Sequence, residues 1–244
     1  MNNKLKWKNR SIGYKLMLPL AISMLIMVIM INLSVYYFVN NYFEDYILEN
    51  SRKNGEVIST EIETYKTRAL NSLAWFENSA RLVDAIQTGD QNKAIELGRT
   101  AMESFGFEYV VITDTEGTVF VRAHEPQTFG DNIANQVNIQ NALKGEQSVG
   151  IEMGKVVKFS IRAGTPLRDE AGNIIGALST GYVLGSTQTA KTFGDTLNKE
   201  IVIYDGDTGI ASTVKPDDAE FISSIKLEQN VIEKTLGNGE IYCG

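Results

Sequence analysis

Two short runs carry cationic side chains at a spacing of two. Residues 156–162 read Val-Val-Lys-Phe-Ser-Ile-Arg. In an extended strand successive side chains point to opposite faces, so Lys158, Ser160 and Arg162 share one face while Val157, Phe159 and Ile161 share the other. Residues 118–122 read Thr-Val-Phe-Val-Arg. There Val119 and Val121 are expected on one face, and Phe120 and Arg122 on the other, joined by His124 if the strand runs that far. A guanidinium offers a rigid two-toothed donor to a carboxylate, and an ammonium or imidazolium adds charge. Such rows hold an organic anion when they face a pocket and face water when they lie on the open side of an antiparallel sheet. Periodicity leaves both readings open. Arg162 paired with Glu125, Asp131 or Glu152 in a purely structural role is a third.

Other chemistry is poorly represented. One histidine and one cysteine, Cys243, give no metal cluster and no internal disulfide. Asp205-Gly-Asp-Thr-Gly209 lacks the spacing of a calcium loop and reads as a hairpin turn. Asp169-Glu170 sits in a turn beside Gly172. No nucleophile elbow, phosphate-cradling loop or His-Glu-x-x-His arrangement occurs, so no catalytic residue, metal or cofactor is expected, and the chain does not read as an enzyme.

The elements that must position the cationic rows follow from the hydrophobic pattern. Tyr109–Thr113, a turn at Asp114-Thr-Glu-Gly117 and residues 118–122 predict a β-hairpin. A polar loop through 124–131 leads to a helix over 134–143 closed by Gly145. Strands are expected at 148–153, 156–162 and 174–182, with the last two joined by Pro166-Leu-Arg-Asp-Glu-Ala-Gly172. On this reading the two cationic rows lie on neighbouring strands.

Several phrases resemble the extracytoplasmic Cache domains of bacterial methyl-accepting chemotaxis proteins. They are Val121-Arg-Ala-His-Glu-Pro126, Phe129-Gly-Asp-Asn132, Ala142-Leu-Lys-Gly145, Ile161-Arg-Ala-Gly-Thr-Pro166 and Gly172-Asn-Ile-Ile-Gly-Ala-Leu-Ser-Thr-Gly-Tyr182. More distantly they resemble the sensor domains of citrate and dicarboxylate histidine kinases. The resemblance covers roughly residue 107 to the end. It implies a PAS-like α+β module in which Arg122, His124 and Arg162 hold ligand carboxylates, with Lys158 and Ser160 on the face of Arg162. Glu125 stands between His124 and Pro126, and Arg122 is two residues from the histidine, where the kinases have three.

Charge and hydropathy set the frame. The net charge is −7, yet residues 1–39 hold five basic residues and no acid. The 18 basic and 30 acidic residues that follow disfavour nucleic acid as a partner. Residues 16–39 are uncharged and long enough to cross a bilayer. The basic tail at 1–15 predicts a cytoplasmic N-terminus and an extracytoplasmic remainder, in a cell (inner or plasma) membrane. The apolar stretch is longer than a signal-peptide core and ends in Val-Tyr-Tyr-Phe-Val, so an uncleaved anchor in contact with lipid is expected.

From residue 40 to about 88, apolar residues recur at steps of three and four without a proline. This predicts one long stalk helix, with Gly55 as its weak point, that pairs in a homodimer. Thr88-Gly-Asp90 starts a second helix over 91–104. Residues 89–187 are expected to form a membrane-distal Cache module. Residues 188–244, with a short helix at 192–198, strands at 200–204 and 210–214, a helix over 231–239 and a strand at 240–243, restart the pattern as a partial, membrane-proximal module. Its missing closing strands make the chain read as the N-terminal part of a longer receptor.

Two functions of different class fit. One is a membrane-anchored sensor of a small organic anion, in a chemotaxis receptor or else in a histidine kinase or nucleotide cyclase receptor. The other is a membrane-tethered interaction protein without a small-molecule ligand.

Overall fold

The computed structural model of the chain describes residues 12–154, 157 and 159–239, residue 44 by its backbone alone. Lys158, Cys243, the basic residues before position 11 and the expected strand at 240–243 lie outside the described residues. The chain divides into two units, the described residues through Lys53 and those from Asn54 onward.

The first unit holds the apolar part of helix α1, Ile12–Glu77. An 18-residue window of this helix reaches a mean hydropathy of 2.5, and none of that window is buried. A helix that is apolar all round belongs in a core or in a membrane. Among the described residues α1 is the one helix with the length and apolarity to cross a bilayer.

In the second unit α1 turns amphipathic and buries Ala69, Leu73 and Phe76. The helical rhythm expected to run unbroken to residue 88 is interrupted at Asn78 and Ser79. The Asn78 amide donates to the Ala74 carbonyl at 2.7 Å, and the Ser79 hydroxyl accepts from the Leu82 amide at 3.3 Å, capping a new helix. Both side chains offer the backbone an alternative to the helical ladder. Helices α2, Ala80–Thr88, and α3, Gln91–Phe105, follow. Asp90 caps α3 through the Lys93 amide at 3.0 Å, and Gly55 leaves α1 intact.

A five-stranded antiparallel sheet forms the centre. Its strands are β1 (Tyr109–Thr113), β2 (Val119–Arg122), β3 (Ser148–Met153), β4 (Phe159–Arg168) and β5 (Ile174–Val183), in the order β2-β1-β5-β4-β3. One face packs on α1, α2 and α3 through Val110, Ile112, Val121, Ala163, Leu167 and Leu178. The other face carries Tyr109, Val111, Val119 and Ala177 under helix α4, Val137–Leu143. This is the expected α+β architecture. Residues 134–136, expected to be helical, remain loop, with the Ala134 amide held by the Asn132 side chain at 3.0 Å.

Two departures from simple alternation matter. Ile112 pairs with Val121 while Thr113 pairs with Val119, so Phe120 is an extra residue on β2. This bulge puts Val119 and Val121 on opposite faces, contrary to the even alternation expected, and sends Phe120 toward the helices while Arg122 and His124 face the other way. Strand β4 also runs on through Pro166, expected to be loop, to Arg168. The β3 ladder ends at Gly164, so Pro166 is paired on one side only and its missing N–H breaks no central ladder.

Beyond β5, helix α5 spans Thr187–Leu197, longer than the expected 192–198 because Ser186 caps it through the Thr189 amide at 3.1 Å. Strands β6 (Val202–Asp205) and β7 (Thr208–Ser212) form a two-stranded sheet. Helices α6 (Ala219–Ser224) and α7 (Gln229–Ile232) follow, and the turns of α7 widen to π-helical at Glu233–Gly237, within the helix expected over 231–239.

Candidate ligand-binding site

Tyr109 organises the polar interior of the face under α4. Its side chain is fully buried, and its hydroxyl donates to the Ile161 carbonyl at 2.9 Å, with the Thr180 carbonyl at 3.1 Å. Burial raises the phenol far above its ordinary range, so it stays a neutral donor. Gly181, at φ 154, makes room for this hydroxyl, because a Cβ there would meet the Ile161 carbonyl and lie 2.9 Å from the Tyr109 oxygen.

Two of the predicted cationic residues flank this ring. The Arg162 guanidinium lies over it, with Cζ 5.3 Å from the ring centroid, and His124 meets it edge-on at 5.9 Å. Arg122 and Arg162 stand on β2 and β4, which are separated by β1 and β5. The expectation of cationic rows on neighbouring strands is therefore corrected. Tyr109, reaching across from β1, bridges the gap.

Together with Val111, Ile133, Gln136 and Val157, these residues line a small cavity of about 10 Å³. That is close to the space one water molecule needs.

The two arginines are engaged differently. Arg122 donates from Nη1 to Asp131 Oδ1 at 2.7 Å and from Nη2 to Oδ2 at 3.1 Å, and Nη1 also donates to the Thr128 carbonyl at 2.8 Å. Its side chain is 3% exposed and that of Asp131 is 35% exposed. This is a forked, charge-assisted pair whose partner comes from the loop nine residues on.

Arg162 is also 3% exposed, but it has no ion-pair partner at bonding distance among the described residues. Nη1 donates to Gln136 Oε1 at 3.1 Å, Nη2 donates to the Val157 carbonyl, and Nε is buried with no partner. Gly154 leaves the space its guanidinium occupies.

Glu152 completes the electrostatics. Its two carboxylate oxygens accept from the Val137 and Asn138 amides, each at 3.1 Å. Burial raises its carboxyl above the ordinary range, opposed by the Arg162 charge and by these two amides.

The remaining sequence candidates are placed unevenly. Both ring nitrogens of His124 are buried without a hydrogen bond of normal geometry. Burial lowers its pKa below the usual value, Arg122 and Arg162 lower it further, and the Val110 carbonyl and Glu125 oppose the shift. Ser160 is fully buried on the Arg162 face of β4, and its hydroxyl is also unpartnered. Lys158 lies outside the described residues. The alternative pairing of Arg162 with Asp131 does not occur, because Asp131 is taken by Arg122. Sequence reasoning missed Tyr109 and Gln136, which carry no charge, and the Asp131 pairing, which only the loop's path reveals.

A double Cache family model, described as the double sensory domain of two-component sensor kinases, matches residues 51–236. The sensor histidine kinase DpiB of Escherichia coli K12 is 25% identical over 172 residues, which cover 70% of this chain and 28% of DpiB. The chain thus spans under a third of that relative's length.

Among solved structures, the E. coli DcuS sensor domain aligns with a TM-score of 0.46 and 21% identity, over 56% of this chain and 97% of that one. The Vibrio cholerae DctB sensor domain aligns with a TM-score of 0.49 and 13% identity, over 74% and 68%.

Proposed function

The chain belongs to the family of double sensory domains of two-component sensor kinases, and we propose that it is the membrane-anchored, extracytoplasmic sensor region of a signalling receptor that binds a small organic carboxylate at Arg162. The observation that carries this reading is a guanidinium almost wholly buried, without an ion-pair partner at bonding distance among the described residues, and with one N–H unsatisfied. Buried polar groups are nearly always hydrogen-bonded, and a buried charge left unpaired is costly. A carboxylate supplies both the missing bond and the missing charge.

The present contacts suggest how binding becomes a signal. Arg162 now spends two donors on neutral acceptors, Gln136 and the Val157 carbonyl. A ligand carboxylate competes for those donors with a stronger, charge-assisted bond. The cavity must widen to admit it, so the filled and unfilled arrangements differ in structure, and ligand affinity differs between them as signalling requires.

Residues 89–187 are assigned as the ligand-binding module and residues 188–244 as part of the second. Residues 16–39 are assigned as the anchor, with the 1–15 tail in the cytoplasm, and the 40–88 stretch as the signalling and dimer-forming stalk. A histidine-kinase output is supported by the family description and by DpiB. A chemotaxis output rests on the resemblance of the site phrases alone.

The test is binding by the full chain in lipid nanodiscs, with small organic acids titrated calorimetrically against the parent and Arg162→Ala. Loss of a charge-assisted bond should cost roughly 1.5–3 kcal/mol, or about 10- to 100-fold in affinity. Equal binding by the variant, or no binding of any acid by the parent, would place the site elsewhere.

A further inference from the structure

The charges around the cavity specify how many carboxylates a ligand should carry. Resting on the reading above, we infer that the site takes a ligand with one carboxylate on a short apolar body, and discriminates against di- and tricarboxylates.

The first ground is what each cation has left to give. Arg122 uses both terminal nitrogens on the Asp131 carboxylate and one of them again on the Thr128 carbonyl. A second ligand carboxylate would have to displace a covalently tethered one that already holds the forked geometry. Of the two arginines, Arg162 keeps an unsatisfied donor, and its other bonds are to neutral acceptors that yield to an anion.

The second ground is charge balance. Among the described residues, two guanidiniums stand against two carboxylates. Asp131 neutralises Arg122 at contact distance, and Glu152 lies near enough to Arg162 to feel its charge. His124, half-buried and near enough to both arginines to feel their charge, is disposed to be neutral at pH 7 and offers one N–H donor and one acceptor. One incoming anionic charge meets Arg162. Among the described residues a second meets no spare positive charge and faces Asp131 and Glu152.

The third ground is the rest of the wall. Val111, Ile133, Val157 and the Tyr109 ring present hydrocarbon, which suits an alkyl body better than a second hydrated carboxylate.

Matched pairs isolate the effect. Butyrate and valerate are compared with succinate and glutarate by calorimetry on the full chain in nanodiscs, for the parent, Arg162→Ala and Asp131→Asn. We expect each monocarboxylate to bind the parent at least tenfold more tightly than the diacid of equal carbon number.

Asp131→Asn keeps an oxygen acceptor but releases the charge of Arg122. It should therefore gain at least tenfold for succinate while changing little for butyrate. A thermal melt of the same variant checks that it is folded.

Parental preference for succinate or glutarate, or a folded Asp131→Asn that gains nothing for diacids, overturns the single-carboxylate inference. If Arg162→Ala still abolishes binding in that case, the Arg162 site itself stands. Binding unaffected by Arg162→Ala overturns both readings.

Discussion

Removing Asp131 should cost the fold more than removing Arg122, although either change breaks the same ion pair. The asymmetry comes from where the survivor is left. Arg122 is 3% exposed and Asp131 is 35% exposed. In Asp131→Ala the guanidinium stays sealed from water with one bond, to the Thr128 carbonyl at 2.8 Å. In Arg122→Met the carboxylate can turn to solvent, and the new side chain fills the arginine's apolar path.

Stranding one member of a fully buried pair costs about 3–5 kcal/mol. Partial exposure of Asp131 and the retained Thr128 bond reduce this to about 2–4 kcal/mol for Asp131→Ala. For Arg122→Met, loss of charge-assisted bonds worth ~1.5–3 kcal/mol is offset by hydration of Asp131, leaving about 1–2 kcal/mol. The double variant removes the stranded charge and should be no less stable than Asp131→Ala alone, a coupling of at least ~1 kcal/mol.

The readout is thermal unfolding followed by fluorescence of Trp75, whose ring meets Phe76 at 5.0 Å and Phe105 at 6.1 Å and so reports the sensor core. At roughly 2–4 °C per kcal/mol for a domain of this size, Asp131→Ala should lower the midpoint by about 4–16 °C. A larger loss in Arg122→Met, or a double variant that pays both costs in full, would refute the reasoning.

Two further outcomes follow from the core and from pH. Phe76 is fully buried where α1 meets the sheet, 6.4 Å from the Phe107 ring, so Phe76→Ala should destabilise by about 3–5 kcal/mol in the same melts, and a loss under 1 kcal/mol would mean the helix is not seated on the sheet as described. His124 is held below its unfolded pKa of about 6.5, chiefly by burial and then by Arg122 and Arg162, against the Val110 carbonyl and Glu125. As pH falls through 6.5 the unfolded chain therefore gains a proton that the folded chain refuses, and stability drops until the lowered folded pKa is passed. Parallel melts of the parent and His124→Asn between pH 5 and 8 isolate this component from Glu152 and from Glu108, whose carboxyl burial also raises, and identical pH profiles would show that His124 contributes nothing.

How far the sequence reveals this molecule depends on whether a feature is local. The β1–β2 turn was legible because its cause is local: Asp114 Oδ1 accepts from the Glu116 and Thr118 amides, at 2.8 and 2.9 Å. The Phe120 bulge was not, since a bulge is defined by a partner strand, and the partner here is fixed by the register of β1. Pro166 looked like loop because its tolerance depends on where the β3 ladder ends, at Ser148, eighteen residues upstream. The break at Ser79 was masked because the apolar residues of α2 continue the rhythm of α1.

At the site, period-two alternation gave Ser160 and Arg162 a common face but left open whether that face is buried, as it is here. It could not say which acid would meet which arginine. That depends on the path of the 124–131 loop, which delivers Asp131 to Arg122 and leaves Arg162 without it. The selectivity we infer thus rests on an irregular segment, for which periodicity has no prediction.

The same alternation explains why β4 suits a sensor. Arg162 and Thr165 are three residues apart, an odd step that puts them on opposite faces of the sheet. Arg162 turns toward the cavity under α4. Thr165, fully buried, donates through its hydroxyl to Glu77, the last residue of α1, and Gln147 holds the same carboxylate oxygen at 2.9 Å. One strand therefore carries the proposed ligand contact on one face and the tether of the helix end on the other. Packed interiors resist continuous deformation, so a shift of β4 that accommodates a carboxylate at Arg162 must be absorbed by its neighbours. The Thr165–Glu77 contact makes the end of α1 one of the first of these.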